Sequence, residues 1–299
     1  MKQIKYEVGI PIRNEENTIS QTLESISKQT IPPKNIYVCV NGSVDNTYQK
    51  VSDIASIEKN ISLITSKPGK ANAWNKIVSK SIENKLMFCD GDVIINPSAA
   101  EKMLETFEKS PDLVLVGGSN AYTAKYKESI FSKFFAENLE GTPISQNWVS
   151  GRLYMTKINE LYNLAEKLKL NLMPEDILNE DQLLELMTKG HRKIIKSAYN
   201  ISNYASNFKE WKMACKRTLS GRRQLQDKYP QLQGETNFLE NKLKNYWDRI
   251  KDVNGTRRKL GVTSLCLIKK ALKLYYNLSN NLDLNPLWDE TLSTKVEIN

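Results

Sequence analysis

Two carboxylates, Asp90 and Asp92, stand one residue apart in the stretch Leu86-Met-Phe-Cys-Asp-Gly-Asp-Val-Ile-Ile-Asn-Pro97. The four apolar residues before them read as a short buried strand, too short for a helix and closed by a turn signal. Gly91 permits a sharp backbone bend, so both carboxylates leave the end of one strand together. Carboxylates held this close repel each other unless a cation lies between or beside them. A hard cation that also takes phosphate oxygens, Mg²⁺ or Mn²⁺, is the natural partner. An isolated Asp-Gly-Asp is more often a polar turn, so the weight of this reading rests on what surrounds it.

The surrounding elements follow a regular order. Strand patterns at 6–12, 36–40, 61–64 and 86–89 alternate with helical spacings at 18–28, 45–55 (capped by Ser43 or Asp45), 71–82 and from Pro97 to 108. A further strand is predicted at 113–116. Four β-α units predict an α/β fold, a mostly parallel central sheet with helices on both faces. Ligands of such sheets sit beyond the carboxyl ends of the strands. Arg13 to Glu15, Asn41, Lys70, Asp90 and Asp92 all fall just after a strand or at the head of a helix, where they can converge on one edge. Lys70, beside Gly69 at a predicted helix start, offers positive charge and free N–H groups to an anion. Beyond this lie a polar helix pattern with Phe131, Phe134 and Phe135 (121–141), a loop at 147–151 and a strand at 152–155. Then come helices at 158–168 and 182–187 and a strand near 193–196. Helices at 208–229, 238–251 and 257–278 complete the chain.

Composition narrows the class. The chain has 299 residues, 40% hydrophobic and 26% charged, as in an ordinary folded protein. No apolar run approaches the ~20 residues of a membrane span, and the first residues run into a strand pattern without a signal-peptide core. Cys39, Cys89, Cys215 and Cys266 lack paired metal-ligand spacing, which predicts free thiols in a reducing, cytoplasmic protein. Residues 205–299 hold 18 Lys and Arg against 10 Asp and Glu, a net +8 of the chain's +9. Such an excess suits nucleic acid, an anionic membrane surface or an acidic substrate. No zinc finger, helix-turn-helix or aromatic RNA-binding signature accompanies it, so nucleic acid is not expected as a partner. The single histidine, His191, supports no Ser-His or Cys-His nucleophile scheme and is expected at the surface.

Six blocks then fall into register. Val8-Gly-Ile-Pro-Ile-Arg-Asn-Glu-Glu16, Ser25-Ile-Ser-Lys-Gln-Thr30 and Val40-Asn-Gly-Ser-Val-Asp-Asn-Thr47 are followed by Gly69-Lys-Ala-Asn-Ala-Trp-Asn75, Asp90-Gly-Asp92 and Glu180-Asp181. In order and spacing they resemble family 2 glycosyltransferases, over residues 6–196 with a fainter continuation to Gly221. The resemblance implies a GT-A fold, a nucleotide-sugar donor (a UDP- or GDP-sugar), a divalent metal (Mn²⁺ or Mg²⁺) and inversion at the anomeric carbon. It divides the chain into a catalytic domain at 1–205, with a nucleotide-binding half to 118 and an acceptor-side half after it, and a basic helical extension at 206–299.

By this resemblance Asp92 ligates the metal that bridges the donor's phosphates, and Asp90 touches the ribose or reaches the metal through water. Pro11, Arg13 and Glu15 line the nucleotide pocket, with Arg13 on the base or a phosphate. Asn41 departs from the family: many relatives carry Asp there, accepting from the uracil ring N–H, so the base stays open. Asp181 is the implied catalytic base, which takes the acceptor's hydroxyl proton. Glu180 is implied to hold a sugar hydroxyl, and Glu175 and Asp176 are rivals for the base. Trp148 and Gly151 resemble the acceptor-side loop, with Trp148 either on a sugar face or in the core. Processive relatives carry Gln-x-x-Arg-Trp where this chain has Ala214-Cys-Lys-Arg217-Thr218, so transfer of a single sugar to a glycan, lipid-linked or protein acceptor is expected. Arg217, Arg222 and Arg223 are candidates for diphosphate or an anionic lipid head group. The basic amphipathic segment 262–278 either packs on the catalytic domain or makes peripheral membrane contact.

Two other readings compete. A nucleotidyltransferase forming a nucleotide sugar would open on a Gly-rich phosphate loop, where this chain has Pro11-Ile-Arg-Asn-Glu-Glu. A non-catalytic binding protein of the same fold would have no use for Asp90, Asp92 and Asp181 together.

Overall fold

The computed structural model describes residues 5–123, 134, 146–205, 207–235, 255–279, 295 and 298. Its first half alternates β1 (Glu7–Ile12), α1 (Ile19–Ser27), β2 (Ile36–Val40), α2 (Thr47–Ile57), β3 (Ile61–Thr65), α3 (Lys70–Val78) and β4 (Lys85–Cys89). Next come β5 (Val93–Ile95), α4 (Ala99–Lys109), β6 (Leu115–Thr123), β7 (Leu153–Lys157) and α5 (Ile158–Lys167). The last described elements are α6 (Glu180–Met187), β8 (Arg192–Asn203), α7 (Phe208–Lys228), a 3₁₀ turn (Pro230–Glu235) and α8 (Thr256–Ser279). The described strands form one eight-stranded sheet in the order β3-β2-β1-β4-β7-β6-β8-β5.

The central strands are apolar on both sides because helices cover both faces. Val8, Ile10, Ile12, Val38, Met87 and Cys89 face a layer built from Ile19, Leu23 and Ile26 of α1 and Met103, Leu104 and Phe107 of α4. The alternate residues, Tyr37, Cys39, Leu86, Phe88 and Tyr154, face Trp74 and Ile77 of α3, Leu161 of α5 and Leu183, Leu184 and Met187 of α6. Gly9 lies on this second face, where a Cβ would come within 2.5 Å of Ile77 and 2.9 Å of Phe88. The missing side chain lets α3 sit close on the sheet.

The sheet is mostly parallel, as expected, with antiparallel pairings at β7 and β5. β1, β2, β3 and β4 are parallel, but β7 runs antiparallel to both β4 and β6. β5, which no strand pattern predicted, follows Asp92 at once and pairs antiparallel with β8. β8 is also far longer than the four residues expected, because it pairs with β6 from end to end and with β5 in its second half. α3 stops four residues early: Ser81, Ile82 and Glu83 instead donate hydrogen bonds to the buried Glu7 carboxylate. The helix expected at 121–141 lies outside the described residues except for 121–123, which belong to β6, and Phe134, which packs against Val262 and Leu265. The helix expected at 238–251 lies outside them altogether.

Candidate active site

The carboxyl ends of β1, β2 and β4 and the heads of α3 and α6 meet at one edge of the sheet. An aromatic stack sets their spacing. Trp74 of α3 stacks on Phe88 of β4 and Phe88 on Tyr154 of β7, each at 5.3 Å between centroids, and the Trp74 indole N–H donates to the Tyr154 hydroxyl (2.9 Å). Phe88 and Tyr154 are register partners. The stack therefore locks together the three elements that carry Lys70, Asp90 and Gly151.

Lys70, the first residue of α3, places its ammonium 2.6 Å from Asp90 and 2.6 Å from Glu180. Burial pulls its pKa down, but the two carboxylates outweigh this and hold it well above the ordinary lysine range. Glu180 and Asp181 open α6, where the helix dipole favours negative charge. The Asp181 carboxylate accepts from the Gly151 N–H (3.2 Å) and from the N–H of Gln182 (2.8 Å). Burial, then the Glu180 charge, raises its pKa to about 6, against the opposing pull of Lys70 and the Gly151 N–H. A Cβ on Gly151 would stand 2.8 Å from Glu180 Oε1 and 2.9 Å from Lys70 Nζ. A side chain there would push the ends of both aside and disturb their ion pair.

Asp92 is buried, two residues beyond the ion-paired Asp90. Gly91 between them has no left-handed backbone. Its requirement is space, since a Cβ would meet Ile12 at 2.6 Å and Glu15 at 3.1 Å. That close approach joins the acidic pair to the end of β1. Arg152, at the head of β7, is missed by the sequence patterns. Its guanidinium donates to the Tyr122 hydroxyl (3.0 Å), and Asp92 and Asp90 help Tyr122 raise its pKa against burial. Among the described residues no three His, Cys, Asp or Glu side chains gather as a self-sufficient metal cage. Two carboxylates at a strand end, with a cationic rim, do fit a hard divalent ion that draws its remaining ligands from a phosphate-bearing substrate.

The neighbouring loops form a laced rim. Asn14 accepts from the Val44 N–H and Glu15's N–H donates to Thr47, binding the loop after β1 to the loop after β2. Asn41 donates to the Ile12 carbonyl (2.7 Å) and accepts from the Gly69 N–H (3.2 Å). An aspartate could not make the first of these bonds, which gives the Asn its structural reason. Pro11 is buried within β1 and Arg13 is half-buried just beyond it. The Glu15 carboxylate is buried and accepts from Thr18 (2.6 Å) and from the ammonium of Lys295. Lys295 comes from the far end of the chain, where Ile298 exchanges two hydrogen bonds with Gln21 of α1. No local pattern could have announced it.

Other candidates stand apart from this cluster. Asp176 is exposed and paired with Lys228, and Glu175 lines a surface cleft with Thr65, Lys67, Asn72 and Lys76. Trp148 is half-buried in the loop before β7, its carbonyl accepting from Gln146. Arg217 and Arg223 are exposed on α7, with Arg223 paired to Asp227. Arg222 lies near Glu185, a half-buried carboxyl one helical turn after Asp181 whose pKa burial raises to about 7 against the pull of Arg192 and Arg222. The i, i+4 spacing from Asp181 was its only sequence signal. His191 is exposed, as expected, and all four cysteines are free.

Comparison with known proteins gives this geometry its context. Residues 7–163 match the family model for glycosyl transferase family 2. Poly-beta-1,6-N-acetyl-D-glucosamine synthase of Staphylococcus epidermidis is 33% identical over 122 residues, which is 40% of this chain and 29% of the synthase. The Staphylococcus aureus synthase is 31% identical over 121 residues, with the same coverage. The chain thus spans under a third of the length of the curated relatives it matches. Among solved structures, the mannosyltransferase PcManGT from Pyrobaculum calidifontis, in complex with GDP-Man and Mn²⁺, has a TM-score of 0.55 at 17% identity, covering 92% of this chain and 82% of that one. S. aureus TarS 1-349 in complex with UDP has a TM-score of 0.51 at 14% identity, covering 96% and 99%. The likeness in fold extends over nearly the whole chain and is of the GT-A kind. With more than half of its length matched by the family model, the chain belongs to glycosyltransferase family 2.

Proposed function

We propose that the protein transfers a single sugar from a nucleotide diphosphate sugar to an acceptor hydroxyl with inversion, using a divalent metal. The observation that carries this reading is the joining of Asp90, Lys70, Glu180, Gly151 and Asp181 into one bonded cluster at the end of β4. Asp181 is the catalytic base. A carboxyl lifted to about 6 by burial and Glu180 is a stronger base than an exposed aspartate. Each of its oxygens keeps a lone pair beyond the N–H it already accepts. As the acceptor oxygen bonds to the anomeric carbon and the bond to the diphosphate breaks, the hydroxyl proton passes to Asp181. Lys70 holds Glu180 in place for a sugar hydroxyl and, with Arg152, brings cationic charge to the departing diphosphate.

Asp92, with Asp90 beside it, would hold Mn²⁺ or Mg²⁺. When bound, the ion would act as a Lewis acid toward the charge growing on the diphosphate. Pro11, Arg13, Glu15 and Asn41 form the nucleotide rim, and Trp148 and Gly151 face the acceptor side. Neighbours in complex with GDP-Man and with UDP support a nucleotide-sugar donor without choosing its base. The named relatives are synthases of a poly-N-acetyl-D-glucosamine, which supports a glycan acceptor; lipid-linked and protein acceptors, and a place in cell-envelope glycan synthesis, stay within the proposal. Loss of the Gln and Trp positions around Arg217 supports single transfer over polymer synthesis, and four free cysteines support a cytoplasmic site. We assign residues 1–205 to the catalytic domain and 206–299 to a helical extension.

Thermal stability against a panel of nucleotide diphosphates and diphospho-sugars, with and without Mn²⁺, tests the reading. A ligand at 100 times its Kd stabilises the fold by about 2.7 kcal/mol. The expected outcome is a rise in Tm with one donor that requires the metal and disappears in Asp92→Ala. A chain that no donor stabilises at saturating concentration would overturn the assignment.

A further inference from the structure

The 24 residues of α8 include six basic side chains and no acidic one. One face of the helix is already used: Val262, Leu265 and Tyr276 are buried against the rest of the molecule. The opposite face carries a second apolar stripe. Leu260, Leu267, Ile268 and Leu274 recur at helical spacing and are 39–63% exposed, and Tyr275 at the margin is 52% exposed with Lys212 of α7 over its ring (5.8 Å). Ser264 and Ala271, also exposed, fill the gaps between them. At 1.5 Å per residue the stripe runs for about 22 Å. Exposed Lys259 and Lys270 border one side of it. A helix packed through one face has no folding reason to keep large apolar side chains on the other.

We propose that this outer face of α8 docks on an anionic membrane surface, with the stripe in the headgroup–acyl boundary and the flanking lysines on lipid phosphates. Charge selects this occupant. A second copy would bring the same acid-free helix against the first, with the exposed Lys259 and Lys270 of each beside the stripe, and like charges at close range repel. An anionic bilayer supplies the opposite sign along the whole helix, and each basic residue near such a surface favours binding by about fivefold. Apolar burial and this attraction together are what hold interfacial helices. No described helix is long and apolar enough to cross a membrane, so the contact is peripheral for the described part of the chain.

Co-sedimentation of the full chain with phosphatidylcholine vesicles, with and without phosphatidylglycerol, tests this without donor or metal, so its failure would leave the sugar-transfer reading standing. Binding should require phosphatidylglycerol and weaken as salt rises from about 0.1 to about 0.5 M, where screening shortens. The exposed double variants Leu267→Asp/Leu274→Asp and Lys259→Glu/Lys270→Glu should each lose about tenfold or more in partitioning, with Tm unchanged. No pelleting of the parent protein with anionic vesicles would overturn the proposal. So would equal binding by both double variants. Sedimentation velocity showing a dimer that the Leu→Asp pair disperses, with no vesicle binding, would assign the stripe to a second copy instead.

Discussion

At Asp181, burial and the Glu180 carboxylate lift the carboxyl to about 6, while Lys70 and the Gly151 N–H pull the other way. The shift has two consequences of opposite sign. As a base Asp181 must be ionised, so kcat/KM should rise with pH through about 6, and Asp181→Asn should lose 100- to 10,000-fold, roughly the worth of a positioned base. For stability, a folded-state pKa above the unfolded value of about 3.9 means that the native protein favours the protonated form. The parent chain therefore loses stability as pH rises from about 4 through 6. Asp181→Asn carries no such titration, and its single amide oxygen can accept only one of the two N–H bonds, so the consequence to read is the pH dependence: the parent should lose about 1–2 kcal/mol between pH 5 and pH 8 that the variant does not. Urea unfolding of both proteins at pH 5 and pH 8 reads this directly; the same change with pH in parent and variant would refute the buried, charge-crowded description of the site.

The element that most constrains the site is α3. Its first residue is Lys70, and Trp74, one turn on, fixes it to β4 and β7 through the stack on Phe88 and the hydrogen bond to Tyr154. Trp74→Ala removes a fully buried indole and leaves the Tyr154 hydroxyl without that donor. Truncations of this kind cost about 3–5 kcal/mol. Trp74→Phe keeps a stacked ring but loses the hydrogen bond, about 0.5–1.5 kcal/mol, and leaves a smaller void than alanine does, so its total cost should stay below that of Trp74→Ala. Denaturant midpoints should fall in that order. Because the same stack spaces Lys70 from Asp90, transfer by Trp74→Ala should fall more than its folded fraction does.

Across the whole molecule, the second face of the sheet is closed partly by the chain beyond residue 205. Leu225, Tyr229 and Leu232 belong to the same apolar cluster as Trp74 and Leu183, and Gly221 of α7 lies so near Asn179 that a Cβ would come within 2.4 Å of the amide. Removing residues 206–299 should therefore expose that cluster and yield an insoluble or non-cooperatively unfolding product, which circular dichroism and solubility would show. The sequence by itself determined the alternating elements of the first half, their apolar faces, and the placing of Arg13, Asn41, Lys70 and Asp90 at element ends. Those features follow from periods of 2 and 3.6 residues and from turn chemistry, all local in the chain. Only the tertiary structure decided the antiparallel β7, the short strand β5, the bridging of Asp90 to Glu180 through Lys70, the cradle at Gly151 and the approach of Lys295 to Glu15. Each of these is a contact between segments distant in sequence. Such contacts depend on strand register and on which surfaces fit, and no local period encodes either.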